Sequence, residues 1–302
     1  MKNEGRIKTA HSKENLKMAT FYNQATLTFG GNVVNSNTTE AELLSGLTLT
    51  KTAISSNYTA GGNVAYAITI SNMSGVEYNA LTVTDNLGAY TLPGGTEAVP
   101  LTYEDGSLLY YLNGVLQTAP TVSSVGNLEI SGINIPAGGT ATFVYEARAN
   151  EFAPIAAGSV ITNTASTNGG VGVGVITDTA TVAINEGAQL TIAKAVCPAV
   201  ITDNGTLTYT IIVQNLGNSP VEATDGVVIN DIFNPALSDI TVTLNGATLA
   251  PTTGYNYNEA TGEFSTVDGV ITVPAATYTQ DPTTGVITTA PGVTVLTISG
   301  TV

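Results

Sequence analysis

The chain has 302 residues, enough for two domains of ordinary size that each bury a core. Its formal net charge is −15 with only 10% charged residues, which argues against a nucleic-acid partner because phosphate backbones would be repelled. Threonine, valine, alanine, glycine and asparagine dominate and tryptophan is absent, so short β-branched runs broken by turn formers are expected rather than helices.

Residues 1–19 form a polar arm. It holds five of the eight basic residues (Lys2, Arg6, Lys8, Lys13 and Lys17) and the only histidine, His11. A solvated leader with at most a short helical turn is the plain reading; docking on an acidic neighbouring subunit is the alternative. The arm lacks the apolar centre of a secretion signal, and no run in the chain is long enough to span a membrane, so no membrane insertion is expected. Either a signal has been removed, or the protein reaches a surface by another route, such as deposition on a spore from the surrounding mother cell.

Residues 20–46 read as a strand segment and linker. Phe21, Asn23, Ala25 and Leu27 alternate in phase, and Val33-Val34 follow. Two copies of a longer unit come next. Leu47-Thr-Leu-Thr-Lys51 and Leu190-Thr-Ile-Ala-Lys194 begin them at an offset of 143 residues (190 − 47), which holds through Tyr66/Tyr209 and Asn72/Asn215. The first copy, residues 47–187, continues past Pro136-Ala-Gly-Gly-Thr140 to Val160-Ile-Thr-Asn163-Thr-Ala165. The second, residues 188–302, reaches the corresponding Pro291-Gly292-Val-Thr294 without a further Asn-x-Ala strand. Such a strand lies instead at Phe21-Tyr-Asn23-Gln-Ala25.

Period-two alternation, as in Val64-Ala-Tyr66-Ala-Ile68-Thr-Ile70 and Leu207-Thr-Tyr209-Thr-Ile211, predicts half-buried antiparallel strands. Ala60-Gly-Gly-Asn63, Leu112-Asn-Gly114, Asp203-Asn-Gly205 and Leu244-Asn-Gly246 supply the positive-φ residues that tight hairpins need. The expected fold is all-β: two tandem immunoglobulin-like β-sandwiches behind an N-terminal donor-strand extension. The single cysteine, Cys197, excludes an intrachain disulfide, and its alignment with Ile54 predicts a buried apolar position.

Leu47-Thr-Leu-Thr-Lys51-Thr, Val64-Ala-Tyr-Ala-Ile-Thr-Ile-Ser-Asn72, Val83-Thr-Asp85 and Ile161-Thr-Asn163-Thr-Ala165, with Leu190-Thr-Ile-Ala-Lys194, Leu207-Thr-Tyr-Thr-Ile-Ile-Val-Gln-Asn215-Leu-Gly217 and Ile229-Asn-Asp231, occur in a characteristic order. Over most of residues 47–302 the sequence resembles the conserved-repeat domain of bacterial and archaeal surface proteins known as domain of unknown function eleven. The resemblance implies an extracellular β-sandwich used as a stalk, adhesin or fibre module, and no enzyme. The second copy departs from the pattern in lacking the Asn-x-Ala strand.

A sandwich without its last strand exposes apolar surface and unpaired backbone groups. Donation of residues 20–37 to the second unit of a preceding subunit would complete it by strand addition and propagate head-to-tail as a homopolymer. Folding back within one chain, or a following repeat of a longer adhesin, would also complete it. The expected function is a structural subunit of an extracellular filament on a cell or spore surface, pilus-like or an endospore appendage. A surface anchor protein or glycan receptor is a further partner. The alternative is a ligand-binding stalk or adhesin module from a longer tandem-repeat protein.

Strand phase also puts charged groups inside. Lys51 follows Leu47 and Leu49, Asp85 follows Leu81 and Val83, and Asn163 lies between Ile161 and Ala165; Lys194, Asp231 and Asn23 repeat this. Burial lowers a lysine pKa and raises that of an aspartic acid. A neutral amine beside an asparagine carboxamide polarised by a protonated aspartic acid can expel ammonia and form an isopeptide bond. Lys51–Asn163 with Asp85 is expected within a subunit, and Lys194–Asn23 with Asp231 between subunits. The competing expectation is a buried ion pair hydrogen-bonded to the asparagine.

No cofactor or metal site is expected. His11 alone supports no triad or zinc site, and Asp225, Asp231 and Asp239 have no calcium-loop spacing. Gly169–Gly174 lacks the Lys-Ser/Thr of a phosphate loop. Tyr110-Tyr111 and Tyr255-x-Tyr257 fit sheet packing better than a glycan-binding surface.

Overall fold

A computed structural model gives the fold and describes residues 18–44, 46–168, 174–202 and 204–302. Strands and turns dominate, with one 3-10 turn at Ala223–Asp225 and no α-helix among the described residues. The basic arm up to Lys17, with His11, lies outside them, as do residues 169–173 of the glycine-rich stretch.

Strands β1 (Met18–Asn23), β2 (Thr26–Phe29), β3 (Asn32–Asn35) and β4 (Thr39–Leu44) form a two-stranded ribbon. β1 pairs with β4 and β2 with β3, both antiparallel, around Gly30-Gly31. Both glycines have positive φ, which lets the chain reverse there. The expected extended segment 20–37 is therefore corrected to a hairpin, in which Leu27 faces Val34 across the ribbon. Leu27, Phe29, Val33 and Val34 are all exposed, Phe29 by 82%.

The first sandwich comprises β5 (Leu47–Ala53), β6 (Asn63–Asn72), β7 (Tyr78–Asp85), β8 (Leu109–Leu112), β9 (Leu128–Ile135), β10 (Thr140–Ala149), β11 (Val160–Asn168) and β12 (Val175–Ile184). One sheet runs β8-β10-β6-β5 and the other β9-β7-β11-β12, with short strands at their margins. Alternate residues of the two inner faces, among them Leu49, Tyr66, Ile68, Val83, Ile130, Phe143 and Val182, make one continuous core. Tyr110 stacks on Phe143 at 5.0 Å, so it serves packing.

The second sandwich comprises β13 (Leu190–Cys197), β14 (Thr206–Asn215), β15 (Asn230–Ile232), β16 (Ser238–Leu244), β17 (Tyr255–Asn258), β18 (Glu263–Thr266) and β21 (Gly292–Thr301). A hairpin of β19 (Thr277–Gln280) and β20 (Ile287–Ala290) precedes the last of these. One sheet runs β13-β14-β21-β16, matching β5-β6-β10-β8 of the first sandwich. Lys51 faces Ile68 and Lys194 faces Ile211, so the repeat offset is kept in the register. The other sheet has only β15-β18-β17. β15 carries Asp231 as β7 carries Asp85, yet among the described residues it pairs on one side only, and β11 and β12 have no counterpart.

Burial records the difference. Leu49 on β5 is 5% exposed, whereas its equivalent Ile192 on β13 is 64% exposed. Cys197, expected to be buried, is exposed, and so is Ile54. The physical reason is that β13 is exposed on both faces, and the aligned position of the first sandwich, Ile54, is itself exposed, so the alignment carried no burial.

The two sandwiches meet through polar contacts. Asn218 donates to the carbonyls of Ile155 and Asn185, each at 3.2 Å, and the Ile287 amide donates to Glu151 O at 3.1 Å. Gly285, at positive φ in the β19–β20 hairpin, comes so close to the first sandwich that a Cβ would lie 3.1 Å from Leu92 and 3.2 Å from Ala98.

Asn72 and Asn215 hold equivalent loops. Asn72 Nδ2 donates to the carbonyls of Val76, Ile135 and Pro136, while its Oδ1 accepts the Ser74 amide. Asn215 Nδ2 donates to Ser219 and Pro274, and its Oδ1 accepts the amides of Gly217 and Gln189. Asn72→Ala would leave buried carbonyls unpaired and destabilise the first sandwich by about 1–3 kcal/mol. Hydrogen exchange over β6 in rising urea should show an earlier opening transition; an unchanged midpoint would mean that these bonds add no net stability.

Candidate functional site

The alternation of β5, β7 and β11 drives three polar side chains into the first core. Lys51, Asp85 and Asn163 are all buried. Ala165 is the residue paired with Asp85 across β7–β11, which brings Asn163 to the end of β7. Lys51 and Asp85 pair directly, and Asn163 reaches them through the Tyr145 hydroxyl.

Lys51 Nζ forms an ion pair with Asp85 Oδ2 and donates to the Tyr145 hydroxyl at 2.8 Å. That hydroxyl donates to Asp85 Oδ2 at 2.5 Å and accepts from Asn163 Nδ2 at 3.1 Å. Asp85 Oδ1 accepts the Leu87 amide at 2.9 Å, and Asn163 Oδ1 accepts the Gly88 amide at 3.2 Å. Gly88 is required there, because its φ is +76° and a Cβ would lie 2.5 Å from Ile161 Cγ2. The main-chain turn after β7 thus orients the carboxylate and polarises the carboxamide.

The walls are aromatic. Lys51 Nζ lies 4.7 Å from the Tyr66 ring centroid and 5.3 Å from that of Tyr145, and the two rings stack at 5.7 Å. Burial pulls the Lys51 pKa below the usual lysine value, opposed by the charge of Asp85 and its hydrogen bond. Burial, reinforced by Asp85, holds the Tyr145 phenol well above its usual pKa, so it remains protonated. An amine whose charge is disfavoured by burial, a carboxylate acceptor and a hydrogen-bonded primary amide therefore share one buried compartment. These are the parts of an amide-exchange reaction that releases ammonia.

The second sandwich holds half of this arrangement. Lys194 Nζ forms an ion pair with Asp231 Oδ2, an oxygen that is buried and lacks an aligned hydrogen bond. The ammonium lies 4.4 Å from the Tyr209 ring centroid and 5.2 Å from that of Phe233, an aromatic setting like that of Lys51. Its side chain is 39% exposed, whereas that of Lys51 is fully enclosed. No asparagine meets this pair among the described residues. Asn23 lies on the exposed ribbon, paired with Thr39.

Asn163 pairs with Ala180 in the β11–β12 hairpin and Asn23 with Thr39 in the ribbon, so each asparagine lies on one strand of an antiparallel pair. Sequence reasoning missed Tyr145 and the β4 arm of the ribbon. Glu40 and Glu42 alternating with Ala41 and Leu43 was the available signal for β4. Among the described residues, no cluster of three or more His, Cys, Asp or Glu side chains could hold a metal ion.

No protein-family model matches the sequence, and a search of curated proteins found no match. Solved structures with similarity include BcpA, the major pilin subunit of Bacillus cereus, at 13% identity and TM-score 0.34 over 90% of this chain and 73% of that one. The pilus backbone RrgB of Streptococcus pneumoniae is similar at 11% identity and TM-score 0.31 over 81% of this chain, which spans 55% of RrgB. The collagen-binding domain of a Staphylococcus aureus adhesin is similar at 13% identity and TM-score 0.28, over 44% of this chain and 95% of that domain.

Proposed function

We propose that the chain is a structural subunit of an extracellular filament on a cell or spore surface, polymerised head-to-tail by its N-terminal ribbon. One observation carries the reading: an exposed antiparallel ribbon bearing Asn23 occurs in a molecule whose second sandwich, among the described residues, has no equivalent of β11–β12. Residues 18–44 of one subunit would add to the β15 edge of another, as β11 adds to β7, and cover β13. Donor and acceptor are different surfaces of the same chain, so the contact propagates head-to-tail as a filament unless its rotation closes a ring.

Docking in this register would bring Asn23 to Lys194 and Asp231, completing the set that Asn163 makes with Lys51 and Asp85. Two isopeptide bonds then belong to the assembly: Lys51–Asn163 inside each subunit and Lys194–Asn23 across each joint. The shared ordering of strand motifs with surface-protein repeats fits this role. The protein has no substrate other than itself.

For the internal bond, intact-mass and peptide analysis of the full chain should show the loss of one ammonia and a linked Lys51–Asn163 peptide. Lys51→Ala should retain the full mass at this site. An unlinked wild-type protein would exclude the bond.

For the joint, the full chain at high concentration should give filaments by electron microscopy, and deletion of residues 1–44 should abolish them. Asn23→Ala should still polymerise but dissolve to monomers on boiling in denaturant, whereas wild-type fibres should run as a ladder of multiples. Filaments from the deleted chain would refute ribbon donation, and an intact Asn23→Ala ladder would refute the covalent joint.

A further inference from the structure

We infer that Tyr145 is a catalytic residue of the Lys51–Asn163 cross-link, relaying protons among the amine, the carboxylate and the departing amide nitrogen. This rests on the internal bond proposed above and adds a residue and a proton route to it. The phenol is the one group in hydrogen-bond contact with all three participants: Lys51 Nζ at 2.8 Å, Asp85 Oδ2 at 2.5 Å and Asn163 Nδ2 at 3.1 Å. Its single hydrogen goes to Asp85, and its two lone pairs receive Lys51 and Asn163, so its bonding capacity is fully used.

The steps balance. A proton of the Lys51 ammonium passes to the Tyr145 oxygen as the phenolic proton passes to Asp85, leaving a neutral amine, a neutral carboxylic acid and an intact phenol. The Nζ lone pair adds to Asn163 Cγ while the Gly88 amide stabilises the developing charge on Oδ1. The new Nζ–Cγ bond leaves Nζ positive. Nζ returns a proton to the Tyr145 oxygen as the phenolic proton moves to Nδ2. The Cγ–Nδ2 bond then breaks with its electrons, Oδ1 reforms the carbonyl, and ammonia leaves, taking the proton held on Asp85. Lysine ammonium and asparagine amide become a secondary amide and an ammonium ion, and both Tyr145 and Asp85 are regenerated.

The strand register makes the relay specific to the first sandwich. Tyr145 faces Tyr66 across β10–β6, and the residue facing Tyr209 across β21–β14 is Ile298. Lys194 and Asp231 therefore have the aromatic surroundings without a hydroxyl at this position.

The test follows cross-linking of the full chain over time after synthesis, by intact mass and by the Lys51–Asn163 linked peptide. Tyr145→Phe keeps the ring packed on Tyr66 and removes the hydroxyl with its three hydrogen bonds. It should be isolated folded but largely unlinked, forming the bond about 100-fold or more slowly than wild type. Tyr103→Phe, which alters a ring 6.3 Å from Tyr145, should link at the wild-type rate. Hydrogen exchange over β6 and β10 distinguishes a folded, unlinked variant from a disordered one. Tyr145→Phe linking as fast as wild type, or Tyr103→Phe slowing it equally, would overturn the relay while leaving the cross-link standing. A wild-type chain that never loses ammonia would overturn the cross-link itself, and the relay with it.

Discussion

A β-sandwich is finished only when both sheets have strands enough to cover each other, and one hairpin performs that task here. In the first sandwich β11 pairs with β7 and β12 lies beside β5, where Asp178 Oδ2 accepts the Lys51 amide at 2.6 Å. The hairpin therefore gives β7 a second neighbour, shields β5 from water and delivers Asn163 to the buried charge pair. Without an equivalent, β13 keeps apolar side chains in solvent and β15 keeps an open edge, which is the ordinary condition for accepting a strand from another chain. The ribbon has the converse problem. A lone two-stranded ribbon with exposed Phe29, Leu27 and valines gains little stability by itself and much by adding to a sheet.

The same coupling sets the electrostatics. A lysine–aspartate pair tolerates partial burial while water reaches one side, as at Lys194 and Asp231. Full enclosure removes that solvation, and the charge must be neutralised by proton transfer or satisfied by precise bonding. Lys51 is in the second condition, bonded to Asp85 and Tyr145, while the buried Tyr66 hydroxyl beside it has no hydrogen-bond partner among the described residues. Under the proposed cross-link, covering and activation would be one event, since the strand that excludes water also carries Asn163. In the proposed joint, Lys194 would become reactive only when the incoming ribbon encloses it, which confines the chemistry to correctly registered contacts.

Much of this was legible in the sequence because period-two phase is a local property. Lys51, Asp85 and Asn163 each sit among in-phase apolar residues, and their convergence follows from strand order. Tyr145 was not legible. In Thr-Phe143-Val-Tyr145-Glu it reads as an ordinary core aromatic, and only the pairing of β10 with β6 aims its hydroxyl between three partners. The ribbon was half legible, since Phe21, Asn23, Ala25 and Leu27 gave the strand but Gly30-Gly31 was not taken as its reversal. Cys197 was misplaced because the aligned Ile54 is itself exposed and β13 is uncovered on both faces.

The positions of the two proposed bonds decide how a filament would bear load. Tension entering a subunit at Asn23 would run along the ribbon to Lys51 on β5, cross the internal bond to Asn163 on β11, and follow the chain to Lys194 on β13. There it would pass to Asn23 of the next subunit. Only residues 23–51 and 163–194 lie on that path. The backbone from 52 to 162 and from 195 to 302 is bypassed, so neither sandwich would have to unfold for tension to pass through it. A hydrogen-bonded sheet pulled from its ends yields strand by strand, whereas this route is covalent throughout. The strand order would explain the economy: each lysine lies on the first strand of its sandwich, and in the proposed assembly each asparagine lies on the hairpin that would close it, so each bond would join the beginning of a sandwich to its last element.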